Sequence, residues 1–415
     1  MFDYIFYGKG ETEGVCQNSD IPADILEVMR NEFLYWYPFD LRVSAKELVP
    51  NHLSFCIFHH AALFPREHWP RAMGVNGMLM IEGKQMHKSK GNFITMKNAV
   101  DKYGADATRC ALLLGAEGMD DPDWRGDNAA DIQGKLLSLR KLALDIIEKS
   151  KSSEAGHMEK WLLSKIQQRI GDVTRNLDEL KTRTSLEIAL FEVWNDFRWY
   201  AHRKGETEAA AVKEALEVWL RLLAPFAPHI CEELWSAAGK ENFVSLADWP
   251  KVDEDKVDVL AEERENLLNE LIDDTSNVLR ATKISPKRVC YYTANSWKWR
   301  VYHDILVKSV QGEVKVNEVM KELSKDSSLR ENMKAVASFV PKVLKILSRM
   351  PNERKTRLAK IENADEKEFL ESALGFLEER FSAKVNVYGE EDQERFDPKH
   401  RAALAMPGQP AIYIE

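Results

Sequence analysis

Three lysines, Lys84, Lys88 and Lys90, stand on a loop punctuated by Gly83 and Gly91 that follows the largely apolar run 75–81. Ammonium groups carried on a loop at the end of a strand can close over a polyphosphate, whereas the same charges on an isolated turn would merely be solvated. Upstream, Glu47 and His52 lie five residues apart just past the short strand expected near Leu41-Arg42-Val43-Ser44. A carboxylate there can accept from paired hydroxyls, and a strand's carboxyl end is where open α/β sheets bind ligands.

A second group of positive charges, Arg280, Lys283, Lys287, Arg288, Lys298 and Arg300, is interleaved with Tyr291, Tyr292, Trp297 and Trp299. Such a mixture can pair with phosphates and stack on unpaired bases, although core aromatics flanked by solvated charges give the same pattern. The chain's net charge of -9 does not exclude nucleic acid, because binding follows the local potential. The five cysteines, Cys16, Cys56, Cys110, Cys231 and Cys290, include no C-x-x-C pair. This spacing predicts neither a zinc site nor a disulfide framework, and no metal ligands are assigned.

The residues around the lysine loop, Gln85-Met86-His87-Lys88-Ser89, resemble the K-M-S-K-S signature of class I aminoacyl-tRNA synthetases. Residues 35–53 resemble the nucleoside-binding segment of leucyl-tRNA synthetases of the archaeal and eukaryotic type. Valyl and isoleucyl enzymes usually carry Arg-Gly-Trp-Phe after the carboxylate, where this chain has Asn51-His52-Leu53-Ser54-Phe55. The likeness continues through Lys102-Tyr103-Gly104-Ala105-Asp106-Ala107-Thr108-Arg109, Asp123-Trp124-Arg125 and the stretch 223–235, and it returns at the carboxyl end, 407–415. It implies ATP binding by Ala45, Glu47, His52, Met86, His87, Lys88 and Ser89, with Glu47 on the ribose. Lys88 and Lys90 would be the catalytic pair, and ATP with Mg2+, leucine and tRNA(Leu) the substrates and cofactors. Three departures are visible: Gln85 for lysine and His87 for serine in the loop, and Ala45 for the more usual glycine.

The family's first phosphate-contacting motif, His-x-Gly-His, does not occur in the 415 residues, nor does the inserted editing domain. The resemblance therefore implies the carboxyl-terminal portion of a leucyl enzyme, a subunit or fragment whose partner chain would carry that motif and the editing domain. A noncatalytic tRNA-binding module derived from a synthetase is the alternative.

These residues need elements to position them. The periodicity predicts a multidomain chain: a partial α/β, Rossmann-like half-domain with lysine loop and connector over 1–127, an all-α anticodon-binding-type bundle over 128–258, and an α+β tRNA-binding domain over 259–415. In the first, a helix from 23, a strand near 41–44, a helix from 51 and one strand over 75–81 would build a parallel sheet. Leu136, Leu139, Leu142 and Ile146 mark the first bundle helix. Lys287, Arg288, Lys298 and Arg300 are the tRNA-contact candidates of the last domain, whose strands are expected at 289–293, 385–388 and 411–414. No stretch has the apolar length of a membrane helix and the amino terminus lacks signal-peptide order, which predicts a cytoplasmic protein.

Overall fold

The computed structural model describes residues 1–86, 91–151, 154–205, 209–361 and 365–415. Two compact units emerge, one of residues 1–150, 168–197 and 213–252, the other of 151–167, 198–212 and 253–415. The chain is helix-rich, with small sheets.

In the first unit, strand β1 (Arg42–Ala45) runs parallel to β2 (Met73–Asn76), with Arg42 opposite Met73 and Ala45 opposite Asn76. Helix Ser54–Leu63 makes the crossover between them. The run 75–81 is not one strand, as its apolar character predicts. It breaks at Gly77, where a Cβ would lie 1.9 Å from the Asp120 carbonyl oxygen, and only glycine tolerates so close a backbone. The chain then re-pairs as β3 (Met80–Ile81), antiparallel to β4 (Lys84–Gln85) and parallel to β5 (Asp123–Trp124). Glu82 and Gly83, both at positive φ, make the tight turn between β3 and β4.

Helix Gly126–Lys149 buries Leu136, Leu139, Ala143 and Ile146, the expected stripe shifted from Leu142 to Ala143. The core of this unit centres on Trp219, which is fully buried, donates its indole N–H to the Ala189 carbonyl at 2.6 Å and packs 4.8 Å from the Phe197 ring. Cys110 and Cys231 are buried free thiols, and burial pushes the Cys110 thiol up to about 12.

The second unit is organised on β6 (Arg288–Thr293), flanked by the parallel β7 (Lys384–Gly389) and the antiparallel β8 (Ala411–Ile414). These coincide with the strands expected from the sequence. Val289, Tyr291, Val385 and Val387 face Leu268, Leu271 and Leu370 from the covering helices, while Cys290 and Tyr292 face Ala402 and Ala405 on the other side. β6 is buried on both faces, as its unbroken apolar run requires. Helix Val259–Thr282 starts at Asp258, whose side chain accepts from the Ala261 N–H at 2.9 Å, and ends at Lys283 in the left-handed region. No helix among the described residues is long and apolar enough to cross a membrane.

Candidate nucleotide-binding site

β1 ends at Ala45, a half-buried residue followed by the helical turn Lys46–Leu48. This turn projects Glu47 at the carboxyl end of the parallel pair, where its exposed carboxylate makes no hydrogen bond or ion pair among the described residues. Both oxygens are thus available to accept. Its neighbour Lys46 turns the other way, pairing with Asp121 at 2.6 Å and donating to the Met119 carbonyl at 3.3 Å. His52 is exposed one turn later, with Nε2 against the Arg42 guanidinium and its backbone N–H against the Asn51 side-chain oxygen. Arginine can only donate, so Nε2 accepts and the ring proton sits on Nδ1. Arg42 projects from β1, so His52 is anchored to the strand that carries Ala45.

The described part of the lysine loop consists of its two feet. Met86 is half-buried beyond β4, and His87, Lys88, Ser89 and Lys90 lie outside the described residues. On the far side Asn92 donates to the Gln85 carbonyl at 2.7 Å, which ties the two ends of the loop together. The base is braced by the connector 115–125: Asp121 accepts from the Met78 N–H and Asp123 from the Gly83 N–H, each at 2.7 Å. The Lys46 ammonium and Met78 N–H hold the Asp121 carboxyl below the usual range, and the Gly83 N–H with Arg125 does the same for Asp123. Asp121 is therefore the joint, touching both Lys46 and the run into β3. The sequence signal for this brace was the acidic turn Asp120-Asp121-Pro122-Asp123, which carries no role in the motif reading.

The fit to a nucleotide rests on donor and acceptor chemistry. Glu47 offers two free oxygens to a ribose, and Lys84 is exposed at the foot of the loop. Among the described residues no three His, Cys, Asp or Glu side chains converge on a metal position.

Two further motifs meet in the same unit. Asp106, buried on helix Ala105–Leu114, accepts from the Ile230 N–H at 2.8 Å and the His229 N–H at 3.3 Å, and its Oδ1 lies 2.8 Å from His229 Nδ1. Arg109 donates to the carbonyls of Pro225 and Phe226 at 3.0 and 3.3 Å. The stretch 102–109 thus holds the proline turn that starts helix Pro228–Ala237, an interaction made across more than a hundred residues of sequence.

The proposed tRNA residues of the second unit separate. Lys298 is 5% exposed and donates to the Ala403 and Ala405 carbonyls at 3.1 and 2.8 Å, with Glu390 at 2.8 Å. It serves the fold and is not available to a phosphate, because these two carbonyls and the Glu390 carboxylate enclose its ammonium. Tyr291 and Tyr292 are likewise fully buried and cannot stack on bases. Arg300 pairs with Asp326 at 2.7 Å, and Arg288 reaches Glu415 at 3.5 Å and lies over Phe396. Lys287 remains exposed, and strand pairing brings Lys384, which the sequence reading missed, beside it: the Lys384 N–H donates to the Lys287 carbonyl at 3.1 Å.

Residues 32–137, which contain β1, the loop and the connector, match the family model "tRNA synthetases class I (M)", and residues 159–291 match "Anticodon-binding domain of tRNA ligase". Over its whole length the chain is 38% identical to the leucine–tRNA ligase of Methanococcoides burtonii and 37% identical to that of Methanosarcina mazei, covering 43% of each. With the Archaeoglobus fulgidus leucine–tRNA ligase it shares 39% identity and covers 41%. The chain is thus similar over its whole length to part of these leucine–tRNA ligases. It spans less than half the length of these relatives. A solved ternary complex of an Agrobacterium radiobacter K84 LeuRS with tRNA and LeuAMS overlays 62% of this chain and 31% of that one, with TM-score 0.47 and 22% identity.

Proposed function

We propose that this chain contributes ATP and tRNA binding to leucine activation and to the charging of tRNA(Leu), as the carboxyl-terminal part of a leucyl enzyme. The observation that carries the reading is the Glu47 carboxylate at the carboxyl end of β1, exposed and without a hydrogen bond or ion pair among the described residues, in a unit whose connector also braces the base of the lysine loop. ATP enters as a substrate. Ala45 and Glu47 hold its ribose, His52 and Met86 flank the base side, and Lys88, with His87, Ser89 and Lys90, meets the phosphates. Leucine's carboxylate oxygen attacks the α-phosphorus, the bond to the β-phosphate oxygen breaks, and pyrophosphate leaves. Lys88 and Lys90 offset the charge that builds there, a contribution realised mainly in the transition state. Mg2+, when bound with ATP, would supply further charge neutralisation.

On this reading, 1–127 is the second half of the catalytic domain, 128–258 the anticodon-binding-type bundle and 259–415 a tRNA-binding domain, in a protein of the cytoplasm. The His-x-Gly-His motif and the editing function are supplied by residues outside these 415, in a second chain or a longer one. The test is leucine-dependent pyrophosphate exchange. The chain alone is expected to be silent, and the chain combined with a polypeptide bearing the first motif is expected to be active. Lys88→Ala should lower that exchange by ~100- to 1,000-fold, the usual loss on removing one preorganised electrostatic contact. Exchange unchanged by this substitution sinks the assignment of Lys88.

A further inference from the structure

The second unit contains a cavity of about 320 Å3 between helix Val259–Thr282, helix Ser296–Gln311 and the turn 407–409. It falls within the range of small-molecule sites. Leu260, Leu267, Leu306, Ile346, Met350 and Ile361 supply apolar wall. Glu366, at the start of helix Glu366–Ser372, also lines it, although the residue is only 4% exposed. One of its oxygens accepts from the Gly408 N–H at 2.6 Å, and the other, Oε2, has no hydrogen-bond partner among the described residues. A buried acceptor left without a donor costs about 1–3 kcal/mol, which a bound donor would recover.

The other charged groups of the cavity are either engaged or peripheral. Arg354 sits 3.7 Å from both Glu263 and Glu270 on helix Val259–Thr282. Arg264, on the same helix, lies over the Phe369 ring. From helix Ser296–Gln311, His303 approaches the Ala359 carbonyl at 3.2 Å and Tyr302 is buried, while Arg349 is exposed. What the pocket offers is therefore an apolar body site beside one carboxyl group whose Oε1 is held by the Gly408 N–H and whose Oε2 has no hydrogen-bond partner among the described residues.

We propose that this cavity binds a small apolar amine, its hydrocarbon part against the leucine and isoleucine wall and its ammonium donating to Glu366. An ammonium suits a carboxyl better than a neutral donor because the resulting hydrogen bond is charge-assisted. Burial pushes the Glu366 carboxyl up to about 7, against the opposing pull of the Gly408 N–H and Trp299. The amine meets the ionised form, so its affinity should rise with pH, by about tenfold between pH 6 and 8.

The experiment is calorimetric titration of the full chain with benzylamine at pH 6 and pH 8. Saturable one-to-one binding that strengthens about tenfold at the higher pH is expected, with a similar loss at pH 8 and a flat profile in Glu366→Gln. His303→Gln should retain the pH dependence. Leu306→Trp, which fills the cavity, should abolish binding. Absence of saturable binding at pH 8, an affinity in the wild-type chain that does not change between the two pH values, or a Glu366→Gln variant that binds as the wild type does would each overturn the proposal. The wild-type profile keeps it falsifiable even if a variant fails to fold.

Discussion

Glu366 shows how one side chain couples burial to pH. Its carboxyl is pushed from 4.5 to about 7 by loss of solvent, so the folded chain holds a proton that the unfolded chain has released. The sign follows directly: unfolding releases a proton in this window, so stability is greatest below the ordinary carboxylate range and falls as pH rises towards about 7. The difference is on the order of 3 kcal/mol at 1.36 kcal/mol per unit. We expect Glu366→Gln, which keeps shape and hydrogen bonding without the titration, to be more stable than the parent at pH 8 and to show a flatter dependence between pH 5 and 8. Urea unfolding at the two ends of that range measures it, and parallel curves for parent and variant would contradict it. Glu47, by contrast, is exposed and makes no hydrogen bond or ion pair through its carboxylate among the described residues.

At the level of elements, the key joint is between helix Ala105–Leu114 and helix Pro228–Ala237. Pro228 opens the latter helix at a position where no N–H is needed, and Asp106 satisfies the two N–H groups that follow. A carboxylate at a helix amino end is favoured by the helix dipole as well. Asp106→Ala leaves these donors buried without an acceptor and should cost about 2–3 kcal/mol, whereas Asp106→Asn keeps an acceptor and should cost less. Denaturant midpoints of the two variants give the comparison; equal losses would show that charge, and not capping, holds the joint. By contrast, Lys46–Asp121 is a half-exposed pair that water and salt screen, so it adds little to stability. Its value lies in orienting the turn that carries Glu47, which is a matter of position and not of stability.

For the whole molecule, negative net charge coexists with a basic end on the central sheet of the second unit. Lys287, just before β6, accepts from the Lys384 N–H at the start of β7, and Arg280 and Lys283 close the preceding helix. If this end binds tRNA, Lys287→Glu with Lys384→Glu should weaken binding and lower the slope of log affinity against log salt by roughly 0.7–0.9 for each phosphate that is no longer neutralised. Lys298→Met should act differently. It deprives two carbonyls and Glu390 of a buried cation, so a stability loss of about 3–5 kcal/mol is expected with an unchanged salt slope. Filter binding across a salt series distinguishes the two, and a lower slope in Lys298→Met would restore that residue as a phosphate partner.

How much of this was legible follows from the range of each interaction. Strands β6, β7 and β8 and the amphipathic stripe of helix Gly126–Lys149 were readable because hydrophobic periodicity is local and burial enforces it. The positions of Ala45, Glu47 and His52 came from the family resemblance, and their spacing is set within one strand and turn. What the sequence could not disclose was which groups meet across long separations. The break at Gly77 depends on the carbonyl of Asp120, the brace of the lysine loop on Asp121 and Asp123, and the helix start at Pro228 on Asp106. The burial of Lys298 likewise depends on carbonyls more than a hundred residues away, and no local pattern separates such a lysine from a solvated one. Residue types and spacing by themselves determined the family likeness and the chemistry available at the site. Only the tertiary structure decided which charges are free to perform it, because a charged group's availability depends on what packing brings beside it.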